Sequence, residues 1–485
     1  MNQHMIDSLR EIVGAEGLID EPFDMQPFLK DWRGMESGSA ICVVLPKTTP
    51  QVSEVVKLAA EIACPIYLQG GNTGLCFGAV PSKRGNCIIM AMGRMRQIRS
   101  IDRASNAIVV DAGAVLGVVH RAAEEIGRSF PLHLGSEGTA QIGGLIATNA
   151  GGINAMRYGT MRDLVYGLEF VLPNGEIISD LAPLRKNNIG YDLKHLQIGG
   201  EGTLGIVTAA CLKLHPAILS DAHAWLSFER PVDALELLER LQDRFDTAIL
   251  ACELLSKSQV ALVLKHIKRT RTPFAVAPEW SVLLEMGTPN GATNLRAELE
   301  EFLAENFEAC RMVDVVVAQD SRQAQSFWHV RHSVSEANKL EGMGLTHDVA
   351  VSVSQVPAYL DAGAAILAEH FPSSFPVAIC HLGDGNIHYI AMFSDEVWQA
   401  VADKAEVTRD VQTKLHDLAI AFGGTFSAEH GIGRKLGSEL RRLINPAKYR
   451  TLLAIKSAID PRNILNPGVL LSEQTSDTAP PVAER

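Results

Sequence analysis

Two histidines flanking a glycine-rich turn, His381-Leu-Gly-Asp-Gly-Asn-Ile-His388, and a later Ala428-Glu429-His430-Gly431 are the parts of the chain best equipped for chemistry. The two imidazoles can converge only if the backbone reverses between them. Gly383 to Asn386 supplies such a reversal, whereas a helix through two glycines is poor. Two imidazoles with a carboxylate form a borderline donor set suited to Zn, Mn, Co or Fe, with coordination positions left open for a substrate. Each histidine alone would read as a turn cap or a satisfied core group; it is the cluster that points to a site.

Glycines form a second group, in loops at Gly70 to Gly74, Gly135 to Thr139, Gly143-Gly144, Gly151-Gly152 and Gly199 to Gly205. Without Cβ, such loops let backbone N–H groups approach an anion, and a diphosphate suits them. Tight turns in a strand-rich domain are the plainer reading of any one loop, but interleaving with Ser136, Thr139, Thr148 and Asn149 favours a ligand. Gly200-Glu-Gly-Thr-Leu-Gly205 matches the dinucleotide pattern, yet Ile206-Val207-Thr208 is β-forming where that motif needs a helix. A Rossmann unit is therefore not expected.

The elements that must hold these loops follow from hydrophobic period. Residues 1–38 read as an N-terminal helical segment, with a loosely amphipathic helix over Met1 to Asp20. Over 39–216 short strands (Ala40 to Leu45, Pro65 to Leu68, Cys87 to Ala91, Ala107 to Asp111) alternate with helices at Val52 to Ala63 and Val115 to Ile126. Leu168 to Ser179 reads as a hairpin about Asn174-Gly175. Over 217–425 helices at Val232 to Phe245, Thr293 to Glu308, Val356 to Phe371 and Asp403 to Phe422 accompany strands at Ser281 to Glu285, Met312 to Val317 and Val377 to Cys380. Residues 426–471 form a C-terminal segment, and the polar end 472–485, with Pro480-Pro481, reads as a disordered tail. The fold class is α+β.

Composition removes other functions. The 485 residues carry a net charge of -12, against a bulk grip on nucleic acid or anionic lipid, and an aromatic content of 6% gives no run of stacking platforms. No apolar run approaches the ~20 residues of a transmembrane helix, and the N-terminus lacks a basic start followed by an apolar block. The cytoplasm is the expected location. The 8 cysteines have no CxxC pairing and read as reduced core thiols.

Several segments in order, Gln69-Gly-Gly-Asn-Thr-Gly-Leu75, Leu132-His-Leu-Gly-Ser-Glu-Gly-Thr139, Ile142-Gly-Gly144, Ala147-Thr-Asn-Ala-Gly-Gly152, Asn188-Ile-Gly-Tyr-Asp-Leu193 and Gly202-Thr-Leu-Gly-Ile-Val-Thr208, resemble the FAD-binding domain of the vanillyl-alcohol oxidase superfamily. The likeness is greatest to its D-2-hydroxyacid dehydrogenase branch and runs from about Phe28 to Leu470. It implies a PCMH-type FAD-binding domain of two α/β subdomains, a substrate (cap) domain with an antiparallel sheet, and a C-terminal helical segment returning to the flavin. The FAD set so implied is Gly70, Gly71, Asn72, Thr73, Gly74 and Leu75 about the diphosphate, then Pro131, Gly135, Ser136, Thr139, Gly144, Thr148, Asn149, Ala150 and Gly152. Glu201, Gly202, Ile206 and Val207 would stand near the adenine and ribose, and Asn466 completes the set. Asn72 occupies the place where some members link flavin through histidine, so non-covalent FAD is expected.

The same resemblance makes His381, His388 and Glu429 the ligands of a divalent metal, zinc foremost. It makes His430 the base and Arg331, Ser335, Thr346 and His430 the substrate contacts. The implied reaction oxidises a D-2-hydroxy acid to the 2-keto acid. Electrons would pass to an electron-transfer flavoprotein or a cytochrome, and a homodimer would suit the family. Where hydroxyglutarate enzymes carry a Lys and an Asn, this chain has Thr346 and Ile390. A monocarboxylic acid such as D-lactate therefore stands level with D-2-hydroxyglutarate, unless His347 restores the missing charge. A non-redox flavin transferase of the alkylglycerone-phosphate synthase type and a flavin-binding accessory subunit are the alternatives. The His pair about Gly-Asp-Gly-Asn argues against both.

Overall fold

In the computed structural model residues 2–472 are described; of the tail expected over 472–485, all but Ser472 lies outside them. The first helix, Asn2–Val13, is shorter than its expected span and buries Met5, Leu9 and Val13, one turn apart, in the first core. That core is built on two sheets. Cys42–Val44, Ile88–Ala91 and Ile66–Gln69 are parallel, with Leu18–Ile19 antiparallel on one edge. Ile88–Ala91 is buried at every position, which suits a strand covered on both faces. Helix Thr49–Glu61 supplies part of the cover, and the Thr48 side chain accepts the Gln51 N–H at its start.

The second sheet is antiparallel, in the order Ile98–Asp102, Ala107–Asp111, Ile206–Lys213, Val165–Val171 and Ile177–Asp180. The last two strands are the expected hairpin, with Gly175 at φ 84° in its turn. The Gly200 to Gly205 loop runs directly into strand Ile206–Lys213, which accounts for the failure of the dinucleotide pattern in context. Between the two sheets, Glu169 accepts hydrogen bonds from Thr49 Oγ1 at 2.6 Å and Arg99 Nη2 at 2.9 Å.

A seven-stranded antiparallel sheet organises the second half, in the order Asp314–Val317, Ser220–Phe228, Trp280–Thr288, Ile249–Ser256, Phe375–His381, Asn386–Ser394 and Gly342–Ala350. One face, with Leu226, Leu254, Leu284, Cys380 and Tyr389, is covered by helices Pro231–Phe245, Leu295–Asn306, Val356–His370 and Lys404–Ala421. The other, with Trp225, Leu255, Leu283, Ile379 and Ile390, lies under Lys257–His266, Ser321–His332 and Val334–Glu341. With both faces covered, strands such as Ile249–Ser256, buried throughout, lack the alternation that a sequence reading depends on.

The end of the chain returns to the first sheet. Ile66 N–H donates to Ile464 O at 2.7 Å, Leu68 N–H to Asn466 Oδ1 at 2.8 Å, and Tyr67 OH to Pro467 O at 2.9 Å. Residues beside Asn466 thus lie along the open edge of strand Ile66–Gln69, the last strand of the first sheet.

Candidate active site

Register assembles the chemical residues. Glu253 pairs directly with His381, Ile379 with His388, and His388 with Asp348. Paired residues in an antiparallel sheet share a face, and alternate residues on a strand do too, so Glu253, His381, His388 and Asp348 stand together across four strands. Helix Ser321–His332 packs on this face, fastened by Trp328 Nε1–H donating to His223 Nδ1 at 3.1 Å, and delivers Arg331. The loop carrying Glu429 and His430 is held by its backbone. Both N–H groups donate to Asp348 Oδ2, at 2.9 and 2.8 Å, and Ala428 N–H donates to Asp348 O at 3.1 Å.

Glu429 bridges the two histidines of the turn. Its Oε1 lies 3.7 Å from His381 Nε2 and its Oε2 3.7 Å from His388 Nε2, and the imidazoles are 5.3 Å apart between centroids. These separations exceed hydrogen bonds but approach the ~3.4 Å edge between ligands held ~2.1 Å from a tetrahedral ion. The donor set therefore fits a divalent metal such as zinc. Gly151 brings the first domain to this cluster: a Cβ on it would stand 3.2 Å from Glu429 Oε1.

Behind the cluster lies Glu253, fully buried, a residue that the sequence reading overlooked. Its Oε1 is 2.5 Å from His381 Nδ1, and its Oε2 accepts from Arg331 Nε at 2.6 Å. Burial opposes its charge, but His381 and Arg331 outweigh that and hold the carboxyl down at about 2. Burial likewise opposes charge on His381, and Glu253 overrides it, lifting the imidazole to about 9. For His388 burial prevails, pushing it down to about 3 and leaving the neutral form that ligates metals. The Nη groups of Arg331 have no protein partner among the described residues.

Asp348 was also unassigned from sequence. It accepts the two backbone N–H groups above and Asn386 Nδ2–H at 2.9 Å, and its Oδ2 is 3.3 Å from His430 Nδ1. Despite burial, the facing His430 and His388 and the two backbone donors hold it down at about 2. The His430 ring stacks on His388 at 5.4 Å and 15°. A carboxylate on Nδ1 leaves Nε2 as the ring atom available to take a proton.

His430 also lines an open cleft between the glycine loops. Of the residues expected to hold the cofactor, Gly70, Gly71, Asn72, Thr73, Gly74, Leu75, Gly144, Thr148, Glu201, Gly202, Ile206, Val207 and Asn466 line it. Pro131, Gly135, Ser136, Thr139, Asn149, Ala150 and Gly152 are not among its lining, though a Cβ on Gly71 would come within 2.1 Å of Thr139 O, so those loops abut. The Asn149 side chain accepts from Thr160 Oγ1 and Arg162 N–H, both at 2.9 Å. Asn72 Nδ2–H donates to Lys30 O at 2.8 Å. The Glu201 carboxylate accepts from Ile432 N–H at 2.8 Å and Gly433 N–H at 2.7 Å, tying the segment after His430 to the glycine loop. Gln141 Oε1, also in the lining, is buried without a protein partner, an acceptor that awaits a ligand.

One expectation is corrected. His347 cannot restore a charge to the site: it lies on the opposite face of its strand from Asp348, buried against His416, whose Nε2 is 3.4 Å from its Nδ1. Thr346 is exposed and pairs directly with Ile390, so the two departures from the hydroxyglutarate pattern are cross-strand neighbours. Ser335 is exposed on helix Val334–Glu341, and its side chain makes no hydrogen bond among the described residues. All 8 cysteines are buried and free.

Comparison with known proteins agrees with this geometry. Residues 40–180 match the FAD binding domain model, and residues 220–470 match that of the FAD linked oxidases, C-terminal domain. The chain is 32% identical over 465 residues to the mitochondrial D-2-hydroxyglutarate dehydrogenase of Arabidopsis thaliana, covering 95% of this chain and 80% of that protein. It is 33% identical over 487 residues to D-2-hydroxyglutarate dehydrogenase of Xanthomonas citri pv. viticola, covering 99% of each. The chain belongs to the FAD-dependent D-2-hydroxyacid dehydrogenases of the PCMH family. Among solved structures it resembles p-cresol methylhydroxylase with substrate bound, at TM-score 0.74, 18% identity and 97% of each chain. It also resembles alkyldihydroxyacetonephosphate synthase, at TM-score 0.72 and 16% identity over 96% of this chain and 84% of the other. At such identities the likeness is one of fold. The cleft, its backbone-lined loops and the orphaned Gln141 acceptor fit FAD. Among the described residues no helix is long and apolar enough to cross a membrane.

Proposed function

We propose that the protein oxidises a D-2-hydroxy acid to the 2-keto acid, with FAD held non-covalently in the cleft and a divalent metal, zinc foremost, held by His381, His388 and Glu429. The observation that carries this is the position of His430, which lines the cofactor cleft and stacks on a member of the His/His/Glu cluster. FAD supplies the two-electron acceptor, and the metal a Lewis acid that lowers the pKa of the 2-hydroxyl.

The chain's own residues do the rest. Arg331, held by Glu253 through Nε, keeps its Nη fork for the substrate carboxylate. His430 takes the hydroxyl proton on Nε2, while Asp348 at 3.3 Å from Nδ1 holds the ring and favours the imidazolium that forms. His381 is buried, and His388, Glu429 and His430 are half-buried, so the cluster is open to a substrate on one side.

The name shared by the relatives supports 2-hydroxyglutarate as substrate. The uncharged pair Thr346 and Ile390, which offers a second carboxylate no cation, supports a monocarboxylic acid such as D-lactate. The likeness to the family supports an electron-transfer flavoprotein or a cytochrome as oxidant. The test is anaerobic stopped-flow reduction of the bound flavin by D-lactate, D-malate and D-2-hydroxyglutarate, with their L enantiomers and metal analysis of the same sample. Bleaching by a D acid alone is expected; no bleaching by any D acid would refute the proposal.

A further inference from the structure

We propose that Glu253 is a positioning residue that orients the metal ligand His381 and the carboxylate clamp Arg331 at once, an inference that rests on the reaction assigned above. A fully buried carboxylate is expensive unless every lone pair finds a donor. A structural ion pair would need one cation. Glu253 has two partners on its two oxygens, and they are the residues assigned to metal and to substrate.

The bond to His381 selects a tautomer. With Nδ1–H donated to Oε1, Nε2 is the ring atom that faces Glu429 Oε1 at 3.7 Å, and a divalent ion bound there would take the place of its proton. The bond to Arg331 acts differently: by engaging Nε it fixes the guanidinium plane and leaves both Nη groups without a protein partner among the described residues. Glu253 touches neither ligand in this scheme. It acts through the two side chains that do: its strand register sets it opposite His381, and helix Ser321–His332 brings Arg331 to its other oxygen.

Glutamine sets an NH2 donor in place of one of the two oxygens, so the atom facing either His381 or Arg331 turns from an acceptor into a donor. The Glu253→Gln holoenzyme is compared with wild type at equal FAD occupancy. Zinc affinity is read by competition with a chromophoric chelator, and carboxylate binding by the flavin absorbance shift on adding propionate, which lacks the 2-hydroxyl, at saturating zinc. Zinc affinity should fall by about 10- to 100-fold. Propionate affinity should fall about tenfold, the worth of one charge-assisted hydrogen bond. Glu253→Asp, which keeps the charge with shorter reach, should fall between glutamine and wild type on the zinc scale.

An FAD-loaded Glu253→Gln enzyme with wild-type affinity for both zinc and propionate would overturn the proposal; loss of one affinity alone would overturn the dual role. If the glutamine variant does not retain FAD, the aspartate variant decides by the same criteria. Neither readout needs turnover, so failure here is distinct from failure of the assigned reaction, which would show as a wild-type flavin that no D acid reduces.

Discussion

Replacing Asp348 by asparagine changes one oxygen for an NH2 group at the centre of the site, and the result can be worked from the contacts. The carboxylate accepts from Glu429 N–H at 2.9 Å, His430 N–H at 2.8 Å and Asn386 Nδ2–H at 2.9 Å, and stands 3.3 Å from His430 Nδ1. An amide that keeps its oxygen toward the two backbone donors sets its NH2 against the NH2 of Asn386, so at least one charge-assisted bond of ~1.5–3 kcal/mol is lost. His430 also loses the carboxylate that faces its Nδ1. Losses of ~10²- to 10⁴-fold in rate are expected when an orienting carboxylate becomes its amide, with ~10⁴ the documented extreme. The assay is the rate of anaerobic flavin reduction by the best D acid at saturation, with FAD content measured on the same preparation. A fully FAD-loaded Asp348→Asn enzyme that reduces its flavin at the wild-type rate would refute the orienting role. Loss of FAD would mean that the carboxylate chiefly pins the Glu429-His430 loop.

Three further outcomes are open to measurement. Burial pushes Glu201 up to about 6 from 4.5, although two backbone N–H groups oppose the rise, so the folded apo-protein holds this proton more tightly than the unfolded chain. The associated stability is complete below 4.5 and lost as pH rises through about 6, in all about 2 kcal/mol, and Glu201→Gln should flatten that part of the urea-midpoint profile. Gly71→Ala places a Cβ 2.1 Å from Thr139 O, where only backbone movement can relieve it; FAD retention after gel filtration should drop at least tenfold, and wild-type retention would contradict the loop contact. Thr346→Lys combined with Ile390→Asn, a cross-strand pair, should raise kcat/KM for D-2-hydroxyglutarate relative to D-lactate by about 10-fold or more, the scale of one added charge-assisted bond; an unchanged ratio would remove the pair from the substrate wall.

Local signals carried far in this chain. Asn174-Gly175 marked its hairpin because the turn needs positive φ, and the β-forming Ile206-Val207-Thr208 correctly removed the Rossmann reading. The His381 to His388 turn was legible because its chemistry is compact in sequence. Strands Ser220–Phe228, Ile249–Ser256 and Asn386–Ser394 were not, since a sheet covered on both faces erases alternation. Glu253 was hidden with its strand: one acidic residue in an apolar run gives no local hint of partners at positions 331 and 381.

The sequence by itself determined which residues could hold an anion, a metal and a proton, because glycine spacing and side-chain chemistry are properties of short segments. Only the tertiary structure decided which carboxylates hold them. Glu253 and Asp348 meet their partners on other strands, on a helix and in a distant loop, and His347, one residue from Asp348, is sent to the far face by the two-residue period of the strand.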